Sequence, residues 1–386
     1  MEQPTSSPLR FAVAGMISLA VAMGIGRFVY TPILPGMMEE LELSASNAGL
    51  IASANYLGYL VGALVAAGGW AHGRERMVVF GALAASTILV ALMGAVETMT
   101  PFLVIRFLAG VASAFVMVFM TSIVFSHLAR SGRAGFEAVH FGGVGIGIAG
   151  SSILMAAIVT IHAGWTAAWF WSGALSLAGF VLVVLLANEG PVGGANSKRE
   201  PALPRNASLA KIILSYGLFG FGYVITATFI VAIVRQSGES RVFEAMVWLA
   251  TGLTAVPSLF VWQRVARRSN VYSAYAIACL VEAVGVAASV AVTGRIGPLA
   301  GGILLGATFM APTALGIQAA RQLAPLSTRK VFAIMTAAFG LGQIIGPIVA
   351  GILAEWSGSF FVPSMLAAGV LVLSAAAAWS AAPKSP

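Results

Sequence analysis

Residues 23–35 read Met23-Gly24-Ile25-Gly26-Arg27-Phe28-Val29-Tyr30-Thr31-Pro32-Ile33-Leu34-Pro35, inside an apolar run from Phe11 to Met38. About 20 apolar residues cross a bilayer, so this run spans one and Arg27 falls near its middle. A guanidinium there costs about 2.5–3.5 kcal/mol on insertion scales and must face protein or a watery cavity. The run is about twice the 7–15-residue core of a cleaved signal, so it is expected to stay in the mature chain. Of 386 residues, 59% are hydrophobic and 9% charged, against about 25% charged in a soluble domain. Mean hydropathy is +0.95. The chain reads as an all-α polytopic membrane protein whose principal partner is the lipid bilayer.

Outward from this stretch, twelve apolar segments are long enough to cross: 11–37, 47–70, 77–96, 101–128, 137–161, 166–187, 209–234, 242–262, 271–292, 298–320, 331–354 and 359–382. They are continuous rather than alternating, which favours helices over a barrel. With both termini cytoplasmic, sixteen Lys and Arg fall on the inner side, including Arg74, Arg76, Arg133, Lys198, Arg199 and Lys384, and three (Arg235, Arg241, Arg295) on the outer side. Arg27 and Arg106 lie within segments. This is the positive-inside bias. It assigns the net charge of +8 to the cytoplasmic membrane surface rather than to nucleic acid.

Residues 188–208 form the one long polar interruption, and their Pro, Gly and Ser content suits a flexible cytoplasmic linker. The expected division is a six-helix bundle over 1–187 and another over 209–386. Gly24-Ile-Gly26-Arg27 parallels Gly220-Phe-Gly222-Tyr223 at an offset of 196, and Gly145-Ile-Gly147 parallels Gly340-Leu-Gly342 at 195. Two matches within one residue of the same spacing indicate a duplication, with a pseudo-twofold axis along the membrane normal and a substrate site between the halves.

Twelve helices split six and six, with a basic loop after the second, resemble the major facilitator superfamily. Gly73-Arg74-Glu75-Arg76 looks like the end of that family's loop 2–3 motif, although Trp70 stands where its acid would be. Arg106-Phe-Leu-Ala-Gly110 is similar to the family's Arg-x-x-x-Gly signature, and the glycine-rich run Gly142 to Gly150 is placed like its segment 5 motif without the proline. Residues 24–32 and 140–147 resemble the YbfB/YjiJ-like bacterial subgroup. The resemblance implies alternating access, with Arg106 serving coupling or the shape of the cavity, and Arg74 and Arg76 serving gating.

The segments expected to line the cavity carry Arg27 and Arg106 but no mid-helix carboxylate, since Glu137, Glu244 and Glu355 lie at helix ends and Asp is absent altogether. A buried charge without a partner is costly, so a bound anion is the expected mate of Arg27. A planar guanidinium suits carboxylate, sulfonate or phosphate. The structural alternative is an arginine bonded to backbone carbonyls or to a neighbouring helix. Tyr30 shares a helical face with Arg27, Tyr223 takes its equivalent position, and Thr226 follows. Gln343 is either helix glue or a substrate donor, and Asn55 and Tyr59 are further candidates. Arg106 could instead snorkel to the outer interface.

Glu282 is the single mid-membrane carboxylate, either bonded to a neighbouring helix or a proton relay. Glu137 and His140 share a face at the cytoplasmic end of segment 5, as a solvated pair or a proton exit. Gly145, Gly147 and Gly150 match the letters of a dinucleotide fingerprint, but no strand precedes them. With Gly340, Gly342 and Gly346 they are read as a sliding helix contact between the halves, and Pro32, Pro35, Pro257 and Pro312 as kinks. One cysteine, Cys279, excludes a disulfide framework and a cysteine zinc site. No metal or cofactor is expected, and a monomer is.

These features favour a secondary active transporter for a small organic anion, with proton symport and anion exchange both open. Efflux of hydrophobic compounds would call for an acid among the cavity helices. An intramembrane enzyme would need an Asp pair, a nucleophile elbow or a metal-ligand spacing, and none is written in the chain. A transporter-like receptor would bind the same cargo without flux.

Overall fold

The structure, a computed structural model, describes residues 8–132, 136–191 and 200–382. Arg133, Lys198, Arg199, Lys384 and residues 192–199 of the expected linker lie outside the described residues. Among the described residues, twelve helices are long and apolar enough to cross a membrane: α1 Pro8–Glu40, α2 Ala45–Ala66, α3 Glu75–Ala95, α4 Met99–Arg130, α5 Glu137–Thr160 and α6 Trp165–Leu186, then α7 Ala207–Gln236, α8 Arg241–Arg268, α9 Val271–Ala291, α10 Ile296–Leu323, α11 Thr328–Ser357 and α12 Phe361–Ala381. No strand occurs among the described residues. The most apolar windows of α7 and α1 are 83% and 78% buried, and that of α6 only 28%. The first helix of each half is therefore central, while α6 turns side chains such as Leu185 and Trp171 outward.

The duplication reappears as packing. A Cβ on Gly147 would lie 2.3 Å from the Ala20 carbonyl oxygen and 2.8 Å from the Gly24 Cα, so α5 docks on α1. A Cβ on Gly342 would lie 2.2 Å from the Gly217 oxygen and 2.6 Å from the Phe221 nitrogen, so α11 docks on α7 in the same way. Gly346 also meets α7, at Val224 and Phe221. These three glycines therefore serve contacts within each half, not the sliding contact expected of them. Gly145 and Gly340 do face the other half, against Gly252 of α8 and Leu60 of α2. Gly49 and Gly351 complete that interface, where a Cβ would come within 2.2 Å of the Pro347 oxygen and 2.4 Å of the Ala45 oxygen, respectively. Small residues let the backbones of α2 and α11, and of α5 and α8, nearly touch.

The end at which α1 begins and α12 finishes is here called proximal. Beyond the midplane, toward the distal end, polar bonds tie the halves. The Thr31 hydroxyl donates to the Ala227 carbonyl (2.6 Å), Ser53 donates to the Ile344 carbonyl (2.7 Å), and Tyr56 and Thr228 share a bond of 3.3 Å. At the distal surface Glu39 of α1 pairs with Arg235 of α7 (2.7 Å) and Arg241 of α8 (3.1 Å), while Arg235 also clasps the buried Glu244. Near the proximal end Glu200 accepts from the Arg329 and Lys330 amides (3.0 and 3.2 Å) and the Thr328 hydroxyl (3.2 Å). These bonds hold its carboxyl below the usual carboxylate range and anchor the chain before α7 to the first turn of α11.

Glu39→Gln would leave Arg235 and Arg241 facing one another without the bridging charge. Each half-exposed pair is worth up to about 1 kcal/mol. Spin-label distances between the 41–44 and 237–240 loops, in a Cys279→Ser background, are expected to gain a longer population. An unchanged distribution would show that these pairs do not hold the distal end shut.

Candidate functional site

Helix α1 is not a continuous α-helix. Over Ala20–Ile25 it widens into a π turn, where the Gly26 amide reaches the Val21 carbonyl (2.8 Å) and the Phe28 amide that of Met23 (3.1 Å). Such turns concentrate at functional sites. The α-helix resumes at Tyr30. Pro32 has no N–H for the Phe28 carbonyl, which accepts from Thr31 instead (3.2 Å). Thr31 is thereby withdrawn from the Arg27 carbonyl.

Arg106 of α4 takes up that carbonyl. Its Nη2 donates to Arg27 O (3.0 Å) and its Nη1 to Gly26 O (3.2 Å), with the guanidinium 5.0 Å from the centre of the Tyr30 ring. Asn55 of α2 donates to the Arg106 carbonyl (3.0 Å). Gly110, one turn after Arg106, lets α2 close in, since a Cβ there would lie 2.1 Å from the Asn55 oxygen. The Arg-x-x-x-Gly pair thus seats α4 against α2 and splints the break in α1. Arg106 is 2% exposed and is not among the residues lining the cavity between the halves, so it does not snorkel to an interface.

Splinted this way, Arg27 projects into a cavity of about 270 Å³ between the halves. Its guanidinium lies 4.3 Å from the centre of the Tyr59 ring and 4.6 Å from that of Tyr56. Nη2 donates to Gln343 Oε1 (2.9 Å), and the Gln343 amide donates to the Tyr223 hydroxyl. The chain Arg27–Gln343–Tyr223 therefore crosses from one half to the other. Arg27 Nε is buried and donates no bond. Among the described residues no ion pair includes Arg27 or Arg106.

The guanidinium is bonded to a neighbouring helix, the structural alternative to a bound anion, so it is not left uncompensated as the leading expectation had it. A desolvated cation–π contact is worth up to about 2 kcal/mol, and a hydrogen bond to a charged group about 1.5–3 kcal/mol. Two rings and one amide match the insertion cost without an acid. They are neutral, however, so an arriving anion would still meet a full positive charge.

Arg27, Tyr59, Tyr223 and Gln343 line the cavity; Tyr30, Asn55 and Thr226 do not. The Tyr30 hydroxyl donates to the Ala48 carbonyl (2.9 Å), and Thr226 is fully buried with no bonded partner for its hydroxyl. Glu282 is also fully buried, inside the second half. Thr308 stands beside it but donates its own proton to the Leu304 carbonyl (2.7 Å). Both Glu282 oxygens are left without a donor and neither approaches Arg27 as an ion pair.

His140 is not the solvated partner of Glu137. It is fully buried, bonded through Nε2 to the Thr121 hydroxyl (3.0 Å), with its ring beside Phe141. Gly15 makes room for it, since a Cβ there would meet Nδ1 at 2.3 Å. Thr121 lines the cavity, so His140 sits one hydroxyl away. Glu137 is half-buried at the first turn of α5. Arg74 is exposed on the loop after α2, while Arg76 lies 5.1 Å from the centre of the Phe80 ring. No ion pair to the second half forms through either among the described residues.

Several wall residues were not singled out by the sequence: Phe28, Tyr216, Phe309, Phe339 and, nearer the proximal end, Met117, Met310 and Ile317. Helical spacing could have found two of them. Phe339 is four residues before Gln343 and Tyr216 seven before Tyr223, hence on the same faces. The distal bonds close the cavity on one side, and its remaining wall runs along the proximal parts of α4, α10 and α11.

A twelve-helix chain with a cationic cavity between two duplicated halves defines a membrane transporter of the major facilitator fold. The family model described as uncharacterised MFS-type transporter YbfB matches residues 19–379, and the chain belongs to that family. Among solved structures it is similar to the nucleoside transporter NupG (TM-score 0.76, 15% identity, 97% of this chain and 99% of that one). A bacterial homologue of the human lysosomal transporter Spinster, inward-facing and unoccupied, has a TM-score of 0.70 at 15% identity, covering 99% and 98%. Among curated sequences the chain is 27% identical over 187 residues to the benzoate transport protein of Acinetobacter baylyi (strain ATCC 33305 / BD413 / ADP1). That match covers 47% of this chain and 38% of the relative.

Proposed function

We infer that this protein is a secondary active transporter that carries a small organic anion, carboxylate-like, across a bacterial inner membrane by alternating access. The carrying observation is Arg27: a buried guanidinium facing the inter-half cavity, held by neutral groups and paired with no acid among the described residues. The benzoate transport function of the distant relative supports a carboxylate. The basic loops support a cytoplasmic proximal end, on which reading the distally closed state is inward-facing, and a single chain supplies every residue of the proposed site. Residues 188–208 serve as the cytoplasmic linker between the bundles 1–187 and 209–386. Glu282 and the His140–Thr121 pair are the candidates for proton coupling.

Uptake of radiolabelled benzoate into proteoliposomes tests this reading. Saturable uptake competed by other small carboxylates is expected, and alkalinisation of the medium on entry marks proton symport rather than exchange. Competition by hydrophobic cations and not by carboxylates would move the assignment to efflux.

A further inference from the structure

The carboxylate corner occupies only part of the cavity. The wall next to it carries a cluster of aromatic rings, and these rings are ordered. Tyr223 and Phe339 lie parallel, 8° apart with centroids at 5.6 Å, and Tyr216 stacks on Phe339 at 5.0 Å. Phe309 stands edge-on to both Tyr223 (87°, 5.8 Å) and Phe28 (80°, 4.9 Å). All five line the cavity. Phe339 is only half-buried, so it keeps free surface for a ligand. Because Phe339 lies one turn from Gln343 and Tyr223 bonds Gln343 directly, the aromatic slab begins where the polar corner ends.

The geometry points to a monocyclic aromatic carboxylate as the cargo, an inference that rests on the organic-anion reading above. The carboxylate meets Arg27 beside Gln343 and Tyr223, and the ring packs on Phe339 with Phe309 as the perpendicular wall. Parallel and perpendicular neighbours are the two arrangements that aromatic pairs prefer, with a gain beyond area burial. An aliphatic acid of equal size would obtain the area alone. The volume, about 270 Å³, lies just under the usual range of about 300–1,000 Å³ for ligand pockets. Size thus favours a single ring over a fused or long-chain acid.

The test is calorimetric titration of the purified full chain with benzoate, cyclohexanecarboxylate and benzamide. Benzoate is expected to bind about 3- to 10-fold tighter than cyclohexanecarboxylate, the size of an aromatic-pair preference. Phe339→Leu should collapse that ratio towards one while sparing cyclohexanecarboxylate binding, and Phe339→Tyr should restore it. Equal binding of the two acids by the unaltered protein would overturn ring selection and leave the anion reading intact. Benzamide binding as tightly as benzoate would overturn the anion reading and this inference with it, as would no binding by any of the three. A full ratio in Phe339→Leu would remove the ring from this slab and overturn the assignment.

Discussion

Arg27→Gln is expected to abolish carboxylate uptake while leaving the melting temperature within error of the unaltered protein. Removing one side of a buried charged contact costs about 2–5 kcal/mol of binding, or roughly 30-fold to several thousand-fold in affinity. Stability should behave differently. Breaking an internal ion pair strands the surviving charge and costs about 3–5 kcal/mol, but no acid is paired with Arg27 among the described residues. Its partners are Gln343 and two tyrosine rings, which tolerate a neutral amide. Uptake in proteoliposomes and a thermal melt, read together, check both halves of the expectation. Unaltered uptake would take Arg27 out of the site.

Arg106→Ala should show the opposite pattern. Its guanidinium serves the Gly26 and Arg27 carbonyls at the break in α1, and its loss leaves two buried acceptors unmet at about 1–3 kcal/mol each. A clear drop in melting temperature is expected. Benzoate affinity should fall as well, because the segment that aims Arg27 loses its splint. Arg106→Lys should recover part of the stability, since one ammonium can reach one carbonyl but does not present two donors in a fixed plane. If Arg106→Ala melts like the unaltered protein, the splint is not what holds α1.

The architecture was legible because twelve long apolar runs and a one-sided distribution of basic loops are written directly in composition. Helix ends were less so. Hydropathy stops at the lipid edge, whereas α8 continues to Arg268 through Arg264 and Arg267, which are good helix formers outside the bilayer. Segment 2, expected to reach residue 70, ends at Ala66 ahead of Gly69 in the left-handed conformation. The π turns at Ala20–Ile25 and Val116–Met120 and the interruption of α10 at Phe309 and Met310 leave the hydrophobic pattern unchanged and so give no signal in it.

The polar part of the site was legible for a related reason. Arg27, Tyr223 and Gln343 interrupt apolar spans, and groups of that kind need partners. The aromatic walls were not, because Phe309, Phe339 and Tyr216 look the same in sequence whether they fill a core or face a cavity. The distal ion pairs escaped because Glu39 and Arg235 sit at helix ends, where charges are ordinarily solvated. Nothing local indicates that two such ends 196 residues apart will meet. The glycines show the same limit. Gly145 and Gly147 differ by two positions on one helix, yet the first faces the other half and the second its own, a distinction set by helix rotation.

The most direct test is an electron cryo-microscopy structure of the full-length protein with saturating benzoate. Density for a carboxylate within hydrogen-bonding distance of the Arg27 guanidinium, inside the cavity walled by Tyr223, Phe339 and Gln343, is the expected result. An empty cavity with Arg27 bonded to Glu282 or another side-chain carboxylate would contradict it.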